Sequence, residues 1–209
     1  MDVAAREALE ADLRRLCDGA DYDGAASAAL RGYGPEIFGF LLTLHRDEGD
    51  AGDVFSAFSE NLWRGLSKFG WQCTLRAWAY TLARNASHRY RRDAKRYVRG
   101  RVPLTGSSDV DALVQKVRTE TIEYLKTEQK DRFAMLRESL PADDQMLLVL
   151  RVDRRLAWEE LARVTLGEDV GDPTAEDLKK ESARLRKRFQ LVKEKLLEMG
   201  KEAGLVPKD

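Results

Sequence analysis

An all-α protein made of two small helical domains is the fold that the sequence predicts, on three observations. Nearly every periodic segment repeats its apolar residues at helical spacing, and none alternates like a strand. Charged residues make up 34% of the chain, which has only five prolines, a composition that favours helices with large solvated faces. A stretch without periodicity at residues 102–109 contains Pro, Gly and Ser. We therefore expect domains at residues 1–101 and 112–209, joined by a flexible linker at 102–111.

The first domain is predicted to contain five helices. Pro35 suits the first turn of the third helix, and Asp50 is the expected N-cap of the fourth. A polar loop at residues 70–74 precedes the fifth. The helices are expected over residues 3–17, 22–31, a third from about 35 onward, 53–66 and 75–96.

The second domain is predicted to end in a long and regular helix. One or two helices are expected within residues 110–139, followed by helices at 141–152 and 156–166. Thr174 and the acidic residues after it resemble a capping box at the start of the last helix. This helix carries a heptad seam, which indicates either a dimer contact or a helix packed inside its own domain. The seam residues are Leu178, Ser182, Leu185, Phe189, Val192, Leu196 and Met199.

The net charge of zero hides a strong asymmetry along the chain. Residues 1–60 contain 13 acidic and 5 basic side chains, so this part carries a charge of −8. Residues 84–101 contain eight Arg or Lys and one Asp, and residues 179–201 contain nine Lys or Arg and three Glu. Because the local field attracts phosphate, a pI near 6.8 does not exclude a nucleic-acid partner.

Several function classes lack support in the sequence. Cys17, Cys73, His45 and His88 are isolated, so neither a disulfide framework nor a metal site is predicted. The chain has no Gly-rich phosphate loop and no plausible catalytic triad, so we predict a protein that is not an enzyme and needs no cofactor. It shows no signal peptide and no apolar run long enough for a membrane, which predicts a cytoplasmic protein. No small-molecule substrate is expected.

The predicted helix at residues 75–96 carries a basic face. Steps of three or four place six of its side chains together, and almost no acid compensates them. A solvated face of an amphipathic helix is the alternative interpretation. The preceding loop adds a tryptophan, and basic residues interleaved with aromatics suit single-stranded or opening DNA. The six are Arg76, Tyr80, Arg84, His88, Arg91 and Lys95.

A second pattern lies in the last hundred residues. The predicted short helix at residues 156–166, a break and a basic last helix are typical of a helix-turn-helix, here with an extended recognition helix. The basic residues of that helix are Arg184, Arg186, Lys187 and Arg188.

Together, in this order and spacing, these segments resemble a bacterial RNA polymerase sigma factor of the small two-domain, extracytoplasmic-function type. The sequence DAGDVF at residues 50–55, with Phe58 and WRGL at 63–66, is similar to the family's DAEDVxQxxF…W…L pattern. WAYTLARN at residues 78–85 is similar to WLYxIAxN, and Arg91 with Arg92 lies where the family has a basic pair. LP at 140–141 and LAWEELA at 156–162 are similar to LP…LSYEEIA.

The resemblance implies partners and roles for the residues that match. Core RNA polymerase would bind through its clamp coiled coil and its flap, promoter DNA would be recognised at −10 and −35 and melted, and a separate anti-sigma protein would control the chain. The clamp would contact Asp50, Asp53, Val54, Phe58, Leu62 and Trp63. The −10 element would contact Trp71, Gln72, Thr74, Arg76, Tyr80, Arg84, Asn85, His88, Arg91, Arg92 and Lys95. The −35 element would contact Arg184, Arg186, Lys187 and Arg188.

Three departures from the family pattern affect these expectations. Ala157 replaces a Ser or Thr and cannot cap its helix with a side chain. Gln72 and Cys73 replace commoner loop residues, which leaves the preferred flipped base open. The segment from Ala162 to Leu185 is longer than usual and adds acidic residues, so we expect altered −35 recognition. The alternative interpretation is a stand-alone helix-turn-helix regulator that binds duplex DNA without polymerase.

Overall fold

Helices are the only regular elements in the part of the chain that the computed structural model describes, which is residues 1–93, 108–127, 132–167 and 173–205. The all-α prediction is confirmed over these residues. The chain divides into two compact units, residues 1–124 and 125–209. The helices are α1 Val3–Asp18, α2 Tyr22–His45, α3 Glu48–Gly65, α4 Leu75–Asp93, α5 Ser108–Thr127, α6 Arg132–Glu138, α7 Ala142–Leu148, α8 Trp158–Leu166 and α9 Ala175–Glu202. A 3₁₀ turn at Leu66–Lys68 follows α3, and a π-helical turn at Val149–Asp153 follows α7.

Aspartates set the starts of the first three helices. Asp2, Asp21 and Asp47 each accept a hydrogen bond from the backbone N–H three residues ahead, at 2.7 to 2.9 Å. Each bond satisfies one of the N–H groups that a helix start leaves without an intrahelical partner. The prediction that Asp50 caps α3 is wrong, because Asp47 occupies that position and Asp50 lies in the first turn.

A single helix, α2, replaces the two helices that were expected around Pro35. A proline inside a helix removes one backbone hydrogen bond and crowds the residue before it. Here the residue before it is Gly34, which has no Cβ to clash with the proline ring. The buried side chains of Leu30, Ile37 and Phe38 lie on both sides of the proline, so core packing keeps the helix continuous.

The core of the first unit lies between α2, α3 and α4. Phe38 of α2 packs against Phe55 of α3 with ring centroids 5.2 Å apart, and Phe58 lies 5.5 Å from Phe55. Phe40 meets the ring of Tyr80 on α4 edge-to-face at 5.4 Å. The aromatic side chains bury large apolar areas, so α2 is held against α3 and against the first half of α4.

Helix α5 packs against the other helices of the first unit. Val114 and Val117 are buried, and a Cβ added at Gly34 would lie 3.1 Å from Val117. The side chain of Arg118 similarly fills the space above Gly52. The predicted domain limits assigned residues 112–124 to the second domain, whereas the structure places them with the first because this apolar face finds its partners there. Residues 102–107 of the predicted linker lie outside the described residues, and residue 108 already belongs to α5.

The second unit is built around the seam of α9. Leu140, Leu148 and Val192 form a buried cluster against which Phe189, Leu196 and Met199 pack. The hydroxyl of Ser182 donates to the carbonyl of Trp158 on α8 at 3.1 Å. The seam therefore packs inside its own unit. The predicted capping box is present, since Thr174 Oγ1 accepts from Asp177 N at 3.2 Å and Asp177 Oδ2 accepts from Thr174 N at 3.1 Å.

Candidate nucleic-acid interface

The start of α4 is unusually well satisfied by side chains. Thr74 Oγ1 accepts a hydrogen bond from Ala77 N at 3.1 Å. The carboxylate of Glu10, on α1, accepts from Leu75 N at 2.8 Å and from Arg76 N at 3.0 Å. A carboxylate at a helix N-terminus also gains from the helix dipole. The loop at residues 70–74 therefore ends at a helix start that α1 holds in place.

The first two turns of α4 are buried except at the half-buried Trp78, which corrects the predicted basic face. Arg76 is only 3% exposed, and its Nε and Nη2 donate to Glu36 at 2.6 and 3.0 Å. Tyr80 is fully buried against Phe40. Helices α1, α2 and α3 all contact α4. The N-terminal end of the predicted basic face is therefore part of the core. Arg76 and Tyr80 therefore do not lie on a surface that DNA could reach in this structure.

The second half of α4 emerges from the core and carries positive charge. Arg84 and Asn85 are half-buried, whereas His88 and both residues of the Arg91–Arg92 pair are exposed. Arg91 Nη2 also donates to the carbonyl of Leu44 at 2.6 Å, which ties it to the end of α2. The structure thus brings these candidates together, and Lys95 lies outside the described residues.

One basic side chain on this surface was not among the candidates. Arg89 is exposed and lies four residues after Asn85 and three before Arg92, so the three share a helix edge. The stepwise stripe through Arg84 and His88 passes beside Arg89. At the end of α4 the exposed part of the helix surface is wider than a single stripe, and this was the signal that could have identified Arg89.

The loop before α4 holds its tryptophan by contacts within the protein. Trp71 is half-buried, with its ring centroid 4.9 Å from that of Phe69 and the guanidinium of Arg14 lying 5.5 Å from it. Its backbone is left-handed, with φ of 55°. Gln72 and Thr74 are exposed, although the Thr74 hydroxyl already caps α4. Gln72 is therefore the side chain through which this loop presents both donors and an acceptor.

A network of polar side chains joins the exposed half of α4 to α2 and α3. Tyr90 Oη donates to Asp50 Oδ1 at 2.6 Å, and His45 Nε2 lies 2.8 Å from Ser87 Oγ. Burial first, and the nearby Arg91 second, lower the pKa of His45. The hydrogen bond to Asp50 and burial raise the pKa of Tyr90 to about 12.

The predicted polymerase contacts on α3 divide between core and surface. Val54, Phe58 and Leu62 are each 1% exposed, which corrects their assignment to a docking surface. Asp50 is half-buried and bonded to Tyr90, and Trp63 is half-buried with its Nε1 donating to Asp23 at 2.6 Å. Among the predicted contacts on α3, only Asp53 is exposed.

A polar outer face of α3, which the sequence prediction missed, surrounds Asp53. Its members recur at steps of four and three and lie opposite the buried phenylalanines. Arg64 and Glu60 form an ion pair at 2.7 Å on this face. The signal in the sequence was the stripe of outer-face positions itself, which lies on the side of the helix opposite the apolar motif residues. The outer face consists of Asp53, Ala57, Glu60 and Arg64.

The basic residues of α9 do not form one face. Arg184 is bidentate with Glu181 at 2.8 Å, and Arg188 Nε donates to Asp144 at 2.6 Å. Arg186 lies on another side, with its guanidinium 5.6 Å from the ring centroid of Trp158. Lys187 is exposed. Two of the four candidates are therefore already engaged in ion pairs with their own unit.

Two further lysines near the start of α9 add positive charge to the second unit. Lys179 and Lys180 are exposed and were not among the candidates. The N-cap residue of the neighbouring helix α8 is Ala157, whose methyl group cannot accept a hydrogen bond. Glu160 accepts from Ala157 N at 2.8 Å, so half of a capping box is kept there.

The region that contains α3 and α4 is similar to a known protein family. Residues 29–97 match the family model described as Sigma-70 region 2, over about a third of the chain. Neither the comparison with curated proteins nor the comparison with solved structures gave a match. Within the described ranges, no helix has the length and apolar character to cross a membrane.

Breaking the buried ion pair at the start of α4 should destabilise the first unit. We expect Arg76→Ala to lower the free energy of unfolding by about 3 kcal/mol, because Glu36 would keep a partly buried charge without its partner. The matched control is Arg64→Ala, which removes an exposed pair and should cost below about 0.5 kcal/mol. Urea unfolding followed by tryptophan fluorescence, in a Trp158→Phe background that leaves tryptophan only in the first unit, measures both. Equal losses for the two variants would show that the pair between Arg76 and Glu36 contributes no more than a surface pair.

The hydrogen bond of Tyr90 should appear as an alkaline dependence of stability. Its pKa is raised from 10.0 to about 12, so the folded state favours the neutral phenol. The contribution is complete below pH 10 and is lost as pH rises towards 12. Tyr90→Phe should therefore be less stable than wild type at pH 8 and should lose less stability between pH 10 and 12. The free energy of unfolding is measured by urea unfolding at each pH. An equal fall with pH in both proteins would show that the bond to Asp50 contributes nothing.

The part of the chain that matches Sigma-70 region 2 thus begins within α2, at residue 29, and includes all of α3 and the described part of α4.

Proposed function

We propose that this chain is a sigma factor of the small two-domain, extracytoplasmic-function type, which binds core RNA polymerase and directs promoter recognition and melting. The observation that carries the proposal is the Sigma-70 region 2 match at residues 29–97, because it covers both the helix with the polar outer face and the helix with the exposed basic end. Such a protein acts in the cytoplasm and has no catalytic activity of its own. A separate anti-sigma protein would control its access to polymerase.

The polymerase clamp would dock on the outer face of α3. Since the apolar motif residues Val54, Phe58 and Leu62 are core, the contact would use the outer face, Asp53, Ala57, Glu60 and Arg64. This face is polar and mixed in charge, which suits a charged coiled coil as partner. The charge of −8 over residues 1–60 also opposes phosphate, so this side of the domain favours protein over DNA.

The opened −10 element would lie along the exposed half of α4. Arg84, His88, Arg91 and Arg92 would contact the backbone, joined by Arg89 at their edge. Asn85 and Gln72 would contact the edge of a base that leaves the stack. Flipping a base costs a few kcal/mol, which hydrogen bonds from such amides offset. Arg76 and Tyr80 would support this surface from within the core.

The second unit would bind the polymerase flap and the −35 element. Thr174 and Asp177 satisfy each other at the start of α9, and their hydrogen bonds lower the pKa of Asp177, so this end carries negative charge. Phosphate contacts would therefore fall further along the helix, on Lys179 and Lys187, and on Lys180 when it leaves its ion pair with Glu176. Arg184 and Arg188 would have to exchange Glu181 and Asp144 for DNA.

Transcription with purified core polymerase tests the proposal. We expect the wild-type chain to direct run-off transcripts from a genomic promoter library and to bind duplex DNA only weakly without polymerase. Asp53→Lys should weaken binding to core polymerase by about tenfold or more, equivalent to about 1.4 kcal/mol. Glu7→Lys, at an exposed acid of α1, is the matched control. Tight sequence-specific binding to duplex DNA without polymerase would favour a stand-alone helix-turn-helix regulator instead.

The exposed arginine at the end of α4 should act on DNA and not on polymerase. Arg92→Ala should reduce open-complex formation and lower the slope of log affinity against log salt by about one unit, as expected for one lost phosphate contact. Arg31→Ala, at an exposed position of α2, should change neither quantity. Permanganate footprinting across a salt series measures the open complex. Loss of polymerase binding in Arg92→Ala would show that this end of α4 has a different role.

A further inference from the structure

We propose that α1 positions the base-reading loop at residues 70–74, with Glu10 and Arg14 as positioning residues that set promoter preference without contacting DNA. The proposal rests on the function given above and adds to it residues that precede the matched region, which begins at residue 29. Two independent contacts carry it, one at each end of the segment between Trp71 and Leu75.

The first contact is made by the Glu10 carboxylate. It accepts hydrogen bonds from the two backbone N–H groups that follow the loop, and Tyr33 Oη of α2 donates to its Oε1 at 2.7 Å. Burial, and then the bond to Glu10, raise the pKa of Tyr33, so the phenol stays protonated as a donor. Glu10 is thus held from α2 and fixes where the loop must end.

The second contact is made by Arg14, one helical turn after Glu10. Its guanidinium lies 5.5 Å from the centroid of the Trp71 ring, whose other neighbour is Phe69 at 4.9 Å. Trp71 has φ of 55°, a left-handed conformation that is strained for a residue with a side chain. Contacts that outweigh this strain are needed, and the stacking of Arg14 on the ring is one of them.

These contacts fix the exposed loop residue relative to the helix. Glu10 and Arg14 occupy neighbouring turns on one side of α1, so a rigid helix joins the two ends of the loop. Gln72 lies between those ends and is exposed. The position of its amide relative to the start of α4 therefore depends on α1. A base contact made by this amide requires that position to be constant, because a displaced amide loses its hydrogen bond.

The test compares promoter preference in the complete polymerase–protein complex. Transcription is measured on templates that carry each of the four bases at each −10 position, for wild type, Glu10→Gln, Glu10→Ala and Arg14→Ala. The matched control is Arg15→Ala, which removes the exposed neighbour that pairs with Asp12. Affinity for core polymerase and melting temperature are measured for every variant.

We expect the ratio of transcription between the preferred base and the others to fall by about fivefold or more at one position in Arg14→Ala and both Glu10 variants. Polymerase affinity should stay within twofold, and Arg15→Ala should match wild type. If Glu10→Ala fails to fold, the base preferences of Glu10→Gln and Arg14→Ala test the proposal. A fall that is uniform across all bases, or an unchanged preference, overturns the positioning role. Wild-type protein that gives no transcript with core polymerase overturns the proposed function itself.

Discussion

The buried polar contacts at the start of α4 are the constraint on which the rest of the first unit depends. Arg76 enters the core as a charge and is stable there because Glu36 accepts two hydrogen bonds from it. Glu10 satisfies the backbone at the same point. A buried charge that loses its partner is strongly destabilising. Helices α1, α2 and α4 are therefore fixed relative to one another at the place where the polar loop ends.

Fixing α4 at its start allows one helix to serve two purposes. Its first half buries Tyr80 and completes the core, while its second half carries Arg89, Arg91 and Arg92 into solvent. The proposed functions follow the same division: α3 presents a polar outer face for polymerase, and α4 presents a basic end for DNA. Because both helices share one core, the two surfaces are held in a constant relation to each other.

The sequence predicted the helical class and the capping box at Thr174, because apolar periodicity and local caps are short-range signals. The sequence-based predictions were wrong for side chains whose environment depends on contacts with distant parts of the chain. Arg76 reads as a surface cation because its partner Glu36 lies forty residues away. Asp50 reads as a cap, but a capping aspartate three residues earlier displaces it. The burial of Val54 and Phe58 shows that motif residues can be core residues, and the proposed docking face lies on the opposite side of the helix.

Site-specific photocrosslinking tests the division of the two surfaces most directly. A photoreactive benzoylphenylalanine replaces Arg92 at the end of α4 or Ala57 on the outer face of α3, in a complex with core polymerase and a promoter. We expect position 92 to crosslink to promoter DNA around −10, only when polymerase is present, and position 57 to crosslink to the polymerase clamp. Crosslinks from position 57 to DNA, or from position 92 to DNA without polymerase, would contradict the roles proposed for the two surfaces.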